Sequence, residues 1–219
     1  MDFQYEVIKS NRKSVGITIS PNCIVKVRIP KRVSLAFVEK ILKERTPWIQ
    51  AKLSFFQPFL EKKLENKISF LGKDFELIYQ ENSEKRGVLQ SEKSITVFGG
   101  NPSLQFEKWL LSQALILFEE RFNECFKEFS KHFHYKKPLL KIRKMKARWG
   151  SLSALGVMTL NLHLIRTPLD CIDYVIMHEL CHLKHQNHGK NFHLLEETFT
   201  PNWKEINQKL KHFGVWLKG

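Results

Sequence analysis

The sequence predicts an α+β fold with a small β-rich part at its N-terminal end. Three observations carry this expectation. The first thirty residues alternate apolar and polar positions as strands do. At Gly99-Gly100-Asn101-Pro102 the pattern changes to that of a long amphipathic helix. Later, two strand-like segments run directly into a strongly signalled helix start at Thr167-Pro168. The division expected from this is 1–100, β-rich with one helix, and 101–219.

The segments SVGITIS and CIVKVRIP flank Pro21-Asn22, which suits a hairpin turn. Ser34 can cap a helix from about Leu35 to Phe56, with Pro47 as a kink or break. KISFLG, FELIYQ and SITVF come next as short strands, separated by Gly72 and the polar stretch 81–87. Asn101 is the expected N-cap and Pro102 the first residue of a helix reaching about His132. KIRKMKARWGSLS and VMTLNLHLI then read as two strands joined by a turn near Ala154-Leu155-Gly156. In the next helix Thr167 can cap, Pro168 fits the first turn and Asp170 takes the place of a capping-box acid. A last helix from Thr200-Pro201 places Trp203, Ile206, Leu210 and Phe213 on one face and stops at Gly214.

Composition narrows the class. The chain has 219 residues, 42% hydrophobic and 26% charged, as an ordinary globular protein does. Its longest apolar run, Trp109 to Phe118, is too short for a bilayer, so no membrane partner is expected. The start, MDFQYEVIKS, lacks the basic-then-apolar order of a signal peptide. Four scattered cysteines without a CxxC pair suit reduced thiols, and a cytoplasmic location is expected.

The net charge of +14 is unevenly spread. Residues 1–150 carry 29 Lys/Arg against 16 Asp/Glu, and residues 151–219 carry 7 against 6. The densest run, KKPLLKIRKMKAR at 136–148, holds seven Lys/Arg and no acid. Such a surface can attract nucleotides or nucleic acid, or serve solubility alone.

Five of the nine histidines fall within HELCHLKHQNHGKNFH, residues 178–193. His178 and His182, four apart on a helix, lie about 5–6 Å apart on one face and can converge on one ion. Glu179 projects about 100° round the helix and can serve as general base. A chain of this composition matches H-E-x-x-H by chance only about 0.03 times. Burying the glutamate in an apolar helix without a purpose would also be costly.

For a third ligand, His185 sits about 10 Å along the axis from His178. His188, flanked by Asn187 and Gly189, can return from a chain reversal and is the preferred candidate. His193, His185 and Glu196 are the alternatives. Three imidazoles leave a position for water, the mark of a catalytic zinc site. The spacing also matches the metzincin pattern, but its glycine position is His185 and no methionine follows Met177.

The stretch RWGSLSALGVMTLNLHLIRTPLDCIDYVIMHELCHLKHQNHGKNF resembles the YgjP-like family of bacterial metal-dependent hydrolases. More distantly it is similar to SprT-like and WLM-type domains. KSVGITISPNCIVKVRIPK, LGKDFEL and Trp109-Leu110 extend the likeness over nearly the whole chain. The resemblance implies a zincin-like metallopeptidase domain with one Zn2+ on His178, His182 and His188, Glu179 as catalytic residue, and a peptide or protein substrate. Leu152 stands where the family usually has Cys, His193 where it has Trp, and Gly189 where Ser is common; no expected ligand is lost. Arg148, Trp149 and Asn161, on the strands beside the motif, are candidate pocket residues. Two alternatives stand beside the peptidase: a nucleoside triphosphate pyrophosphohydrolase, and a nucleic-acid-associated protease of the SprT kind.

Overall fold

The computed structural model describes residues 3–217. They form two compact units, one ending at Glu65 and one spanning Asn66–Leu217.

The first unit is a three-stranded sheet covered by one helix. Strands β1 (Tyr5–Ser10), β2 (Gly16–Ile19) and β3 (Val25–Pro30) lie in the order β1-β3-β2. The central strand runs parallel to β1 and antiparallel to β2, with Ile17 opposite Val27. Its alternation decides the faces: Val25, Val27 and Ile29 are fully buried, while Lys26 and Arg28 point away. Helix α1 (Leu35–Leu64) completes this core with Val38, Leu42 and Ile49. Ser34 accepts the Phe37 N–H, as expected of a cap. The helix does not break at Pro47, however, and runs on through Pro58. Pro47 sits on the solvent face, where water can reach the carbonyl that its ring leaves unbonded.

The second unit opens with β4 (Lys67–Phe70), β5 (Lys73–Gln80), β6 (Gly87–Gln90) and β7 (Ser94–Phe98), in the order β4-β5-β7-β6. The edge strand β6 has only Val88 and Leu89 as apolar residues and left no readable pattern. Between β4 and β5 the backbone turns through positive φ at Leu71 and Gly72. Their N–H groups donate to the carbonyls of Ile165 and Arg166, at 2.9 and 3.2 Å. A Cβ at position 72 would lie 2.6 Å from Pro168 Cγ, so glycine permits this approach.

Helix α2 (Pro102–Ser130) starts as the sequence predicts, with Asn101 Oδ1 accepting the Leu104 N–H at 3.1 Å. Its buried residues, Phe106, Leu110, Ala114, Phe118, Phe122, Cys125 and Phe129, recur at helical spacing. They share one core with Ile68, Phe70, Phe75, Ile95 and Val97, so the sheet at 67–98 packs with the part of the chain beyond residue 100. Among the described residues no helix is long and apolar enough to cross a membrane.

A second sheet consists of β8 (Leu139–Arg143), β9 (Gly150–Leu152) and β10 (Val157–Asn161), in the order β8-β10-β9. The single strand expected over 141–153 is therefore two, on opposite sides of β10. The break at 144–149 is held by Asn161, whose fully buried side-chain amide donates to the carbonyls of Met145 (2.7 Å) and Arg148 (2.9 Å). A 3-10 turn, Leu162–Arg166, leads into α3 (Leu169–Cys181), succeeded by α4 (Lys190–Phe199) and α5 (Trp203–Phe213). The start of α3 differs in detail from the capping box expected. Thr167 donates back to the Leu164 carbonyl at 2.8 Å, and Asp170 accepts the Cys171 N–H at 2.9 Å.

Candidate metal centre

Helix α3 is buried along Tyr174-Val175-Ile176-Met177 and delivers His178 and Glu179 in its last turn. Arg121 of α2 grips Asp173 through two bonds of 2.7 and 2.6 Å, which fixes the rotation of α3 about its axis. His182 is the C-cap of the helix, still in αR geometry. One more turn extends beyond it, closed by His185 N–H donating to the Cys181 carbonyl at 3.0 Å. The chain then reverses and brings His188 back. Gly189 has an ordinary φ of −80°, so the reversal needs no left-handed glycine.

The result is a cluster of three imidazoles. One ligand atom from each of His178, His182 and His188 lies within 4.8 Å of the other two. The Nε2 atoms of His178 and His188 are 3.1 Å apart. His185 and His193 lie outside the group. Glu196 lies behind it, with Oε1 2.7 Å from His178 Nδ1 and Oε2 3.0 Å from His193 Nδ1. The Glu196 side chain is 1% exposed. Burial opposes its charge, but hydrogen bonds from His178, His193 and Tyr174 outweigh that and hold the carboxyl below the usual carboxylate range.

These partners set the tautomers. Ionised Glu196 can only accept, so His178 carries its proton on Nδ1 and leaves Nε2 bare. His182 Nδ1 donates to the His185 carbonyl at 3.0 Å, which likewise frees its Nε2. Burial holds both His182 and His188 below the usual imidazole range, towards the neutral form that binds metal. Bare nitrogen lone pairs facing one another repel unless a proton or cation lies between them. The donor set suits a borderline divalent ion bound by nitrogen.

Glu179 stands apart from the three nitrogens and faces the same cleft, whose volume is about 820 Å³. It is 6% exposed. Burial pushes its carboxyl up to about 7, against the pull of His178, the Leu152 N–H and Arg148. Gly150 lets it in: a Cβ there would sit 2.7 Å from Glu179 Oε1. Arg148 and Trp149 also line the cleft. Asn161 does not; its amide holds the loop that carries them.

With this geometry in place, the comparison with known proteins is decisive. A model of the YgjP-like metallopeptidase domain matches residues 13–213. The chain belongs to the YgjP-like family. A YgjP-like metallopeptidase domain brings with it metal-dependent hydrolysis and a divalent ion. Among solved structures the chain is similar to two metallopeptidase zymogens, abylysin of Pyrococcus abyssi and jannalysin of Methanocaldococcus jannaschii. Abylysin is 23% identical, with 42% of this chain and 90% of that one covered and a TM-score of 0.38. Jannalysin is also 23% identical, with 43% and 93% covered and the same TM-score of 0.38. No curated protein matches.

Two residues beside the three imidazoles escaped the sequence reading. Tyr174, which bonds Glu196, lies in the apolar run of α3 just before His178. Glu196 entered only as an alternative ligand; its place three residues after His193 on α4 was the available signal. His193 stacks on Trp203 with ring centres 4.9 Å apart and 9° between planes.

Proposed function

We propose that the protein is a zinc peptidase in which His178, His182 and His188 hold the ion and Glu179 is the general base. The observation that carries this is the approach of three imidazole donors to within 4.8 Å of one another, beside a buried carboxyl. A zinc ion held there supplies a Lewis acid that makes water a nucleophile near neutral pH and polarises a carbonyl. Glu179 takes the proton from the attacking water and returns it to the leaving amine. Glu196 keeps His178 in the binding tautomer. The edge strand β9 borders the cleft, where an extended peptide can lie alongside it.

Elemental analysis should find about one zinc per chain, a site of three protein ligands and one open position. Glu179→Gln should retain the metal and lose peptide turnover, while His188→Ala should lose the metal and His185→Ala should keep it. A Glu179→Gln variant as active as the wild type would refute the general base. Supplying peptides and nucleoside triphosphates side by side, with zinc and then magnesium, separates the peptidase from phosphoanhydride hydrolysis. Turnover of nucleotides alone would overturn the reading.

A further inference from the structure

We propose that Arg148 determines specificity in this cleft, and that the preferred substrate is a peptide with an acidic side chain where it passes this arginine. The proposal rests on the peptidase reading and names its substrate class.

Apart from the metal, the cleft presents its substrate with one permanently charged group. Its acids are Glu179 and Glu196, both buried and both engaged, the first by the Leu152 N–H and the second by His178 and His193. Arg148 is the remaining permanently charged side chain in the lining, and it is exposed. It makes no ion pair or side-chain hydrogen bond to a described residue. Two other members of the basic run are occupied elsewhere. Lys137 bonds Glu119 and Asn123, and Lys144 pairs with Glu107 at 2.6 Å.

The backbone beneath Arg148 is anchored. Asn161 binds its carbonyl at 2.9 Å through the side chain, and the carbonyl of Trp149 at 2.8 Å through the main chain. The guanidinium therefore projects from a fixed point, near enough to Glu179 to act on its charge. A guanidinium stays charged at any working pH and offers a planar fork of N–H donors that fits a carboxylate in two parallel bonds. The one lining acid near enough to act on it, Glu179, is buried and takes the Leu152 N–H. A substrate lysine or arginine there would meet like charge.

The test uses the zinc-loaded full chain and a peptide series in which one position at a time, on either side of the scissile bond, is Glu, Gln or Lys. Wild type should prefer Glu over Gln at one position by about tenfold in kcat/KM, the size expected of a hydrogen bond to a charged group. Most of the difference should fall on KM. Arg148→Gln should bring the ratio close to one, and Arg148→Glu should invert it towards Lys. Arg148→Lys, which keeps the charge without the fork, should retain part of the preference. The preference should also shrink as salt rises.

Cleavage without acidic preference, or a preference that survives Arg148→Gln, would overturn the assignment. So would an equal loss of kcat on every peptide, because that marks a transition-state role instead. If no peptide is cut at all, the peptidase reading fails first. Fluorescence anisotropy of labelled Glu and Gln peptides on the Glu179→Gln variant then still decides this proposal: equal affinity refutes it, and tighter Glu binding lost in the added Arg148→Gln change supports it.

Discussion

The cleft has two walls, and they are built by different means. On one side the chain from Arg148 to Leu152 holds Glu179 with main-chain features, the Leu152 N–H and the missing Cβ of Gly150. On the other side α4 holds His178 with a single side chain, the buried carboxylate of Glu196. The difference teaches where the site is vulnerable. A wall of backbone tolerates most side-chain changes but not a change of shape. A wall that depends on one carboxylate fails when that carboxylate is replaced.

Among changes behind the metal ligands, the largest effect should therefore come from Glu196→Ala. It removes the acceptor for His178, His193 and Tyr174 together and strands the donor of the buried Tyr174. Loss of such an orienting partner lowers metal affinity by about 10–100-fold, and a stranded buried donor costs roughly 1–3 kcal/mol in stability. Zinc titration against a competing chelator and urea unfolding would measure the two parts. Glu196→Gln should fall between, since an amide oxygen can accept but carries no charge. If Glu196→Ala binds zinc as tightly as wild type, the comparison of walls is wrong.

The backbone wall has one side-chain anchor of its own, and it supplies the next test. Asn161→Ala should destabilise by about 2–3 kcal/mol, because the Met145 and Arg148 carbonyls lose the donor that holds their loop. Asn161→Asp should be at least as damaging despite its shape, since a carboxylate cannot donate to Met145 and Arg148. Denaturant midpoints for both variants check this. Zinc affinity should change much less than in Glu196→Ala, because no metal-facing nitrogen contacts Asn161. Equal losses of zinc would erase the distinction between the walls.

Much of this was legible in the sequence, and the reasons for the rest are physical. The pairing of His178 with His182 follows from helical spacing alone, as does the place of Glu179 beside them. Asn101 and Ser34 are caps whose geometry depends on neighbours three residues away. Thr167 failed as a cap because the preceding 3-10 turn offers its hydroxyl a nearer partner, the Leu164 carbonyl, which no local pattern records. Asn161 looked like a pocket residue because polar residues on strands beside a motif often face the pocket. Its amide instead serves a loop 13–16 residues earlier. Glu196 and Tyr174 belong to the same class: each acts through a partner on another element, and periodicity within one element cannot show that.

A smaller effect is expected at Gly150. Gly150→Ala puts a methyl group 2.7 Å from Glu179 Oε1 and 3.0 Å from Val175 Cγ1, so the carboxyl must move or β9 must retreat. Either displaces the proposed base without touching the three imidazoles. Peptide turnover should fall by about tenfold, with zinc content and affinity unchanged.

The smallest change sharpens the opposite wall. Tyr174→Phe removes one of three donors to Glu196 and leaves no buried group on the phenyl ring unsatisfied. Glu196 keeps both histidines, so the cost should be about 1 kcal/mol of stability, the net worth of one hydrogen bond to a carboxylate that remains well satisfied. Zinc affinity should drop by only a few fold, far less than in Glu196→Ala. That graded pair isolates the carboxylate from its surroundings: if Tyr174→Phe costs as much zinc as Glu196→Ala, the hydroxyl rather than the carboxylate orients His178.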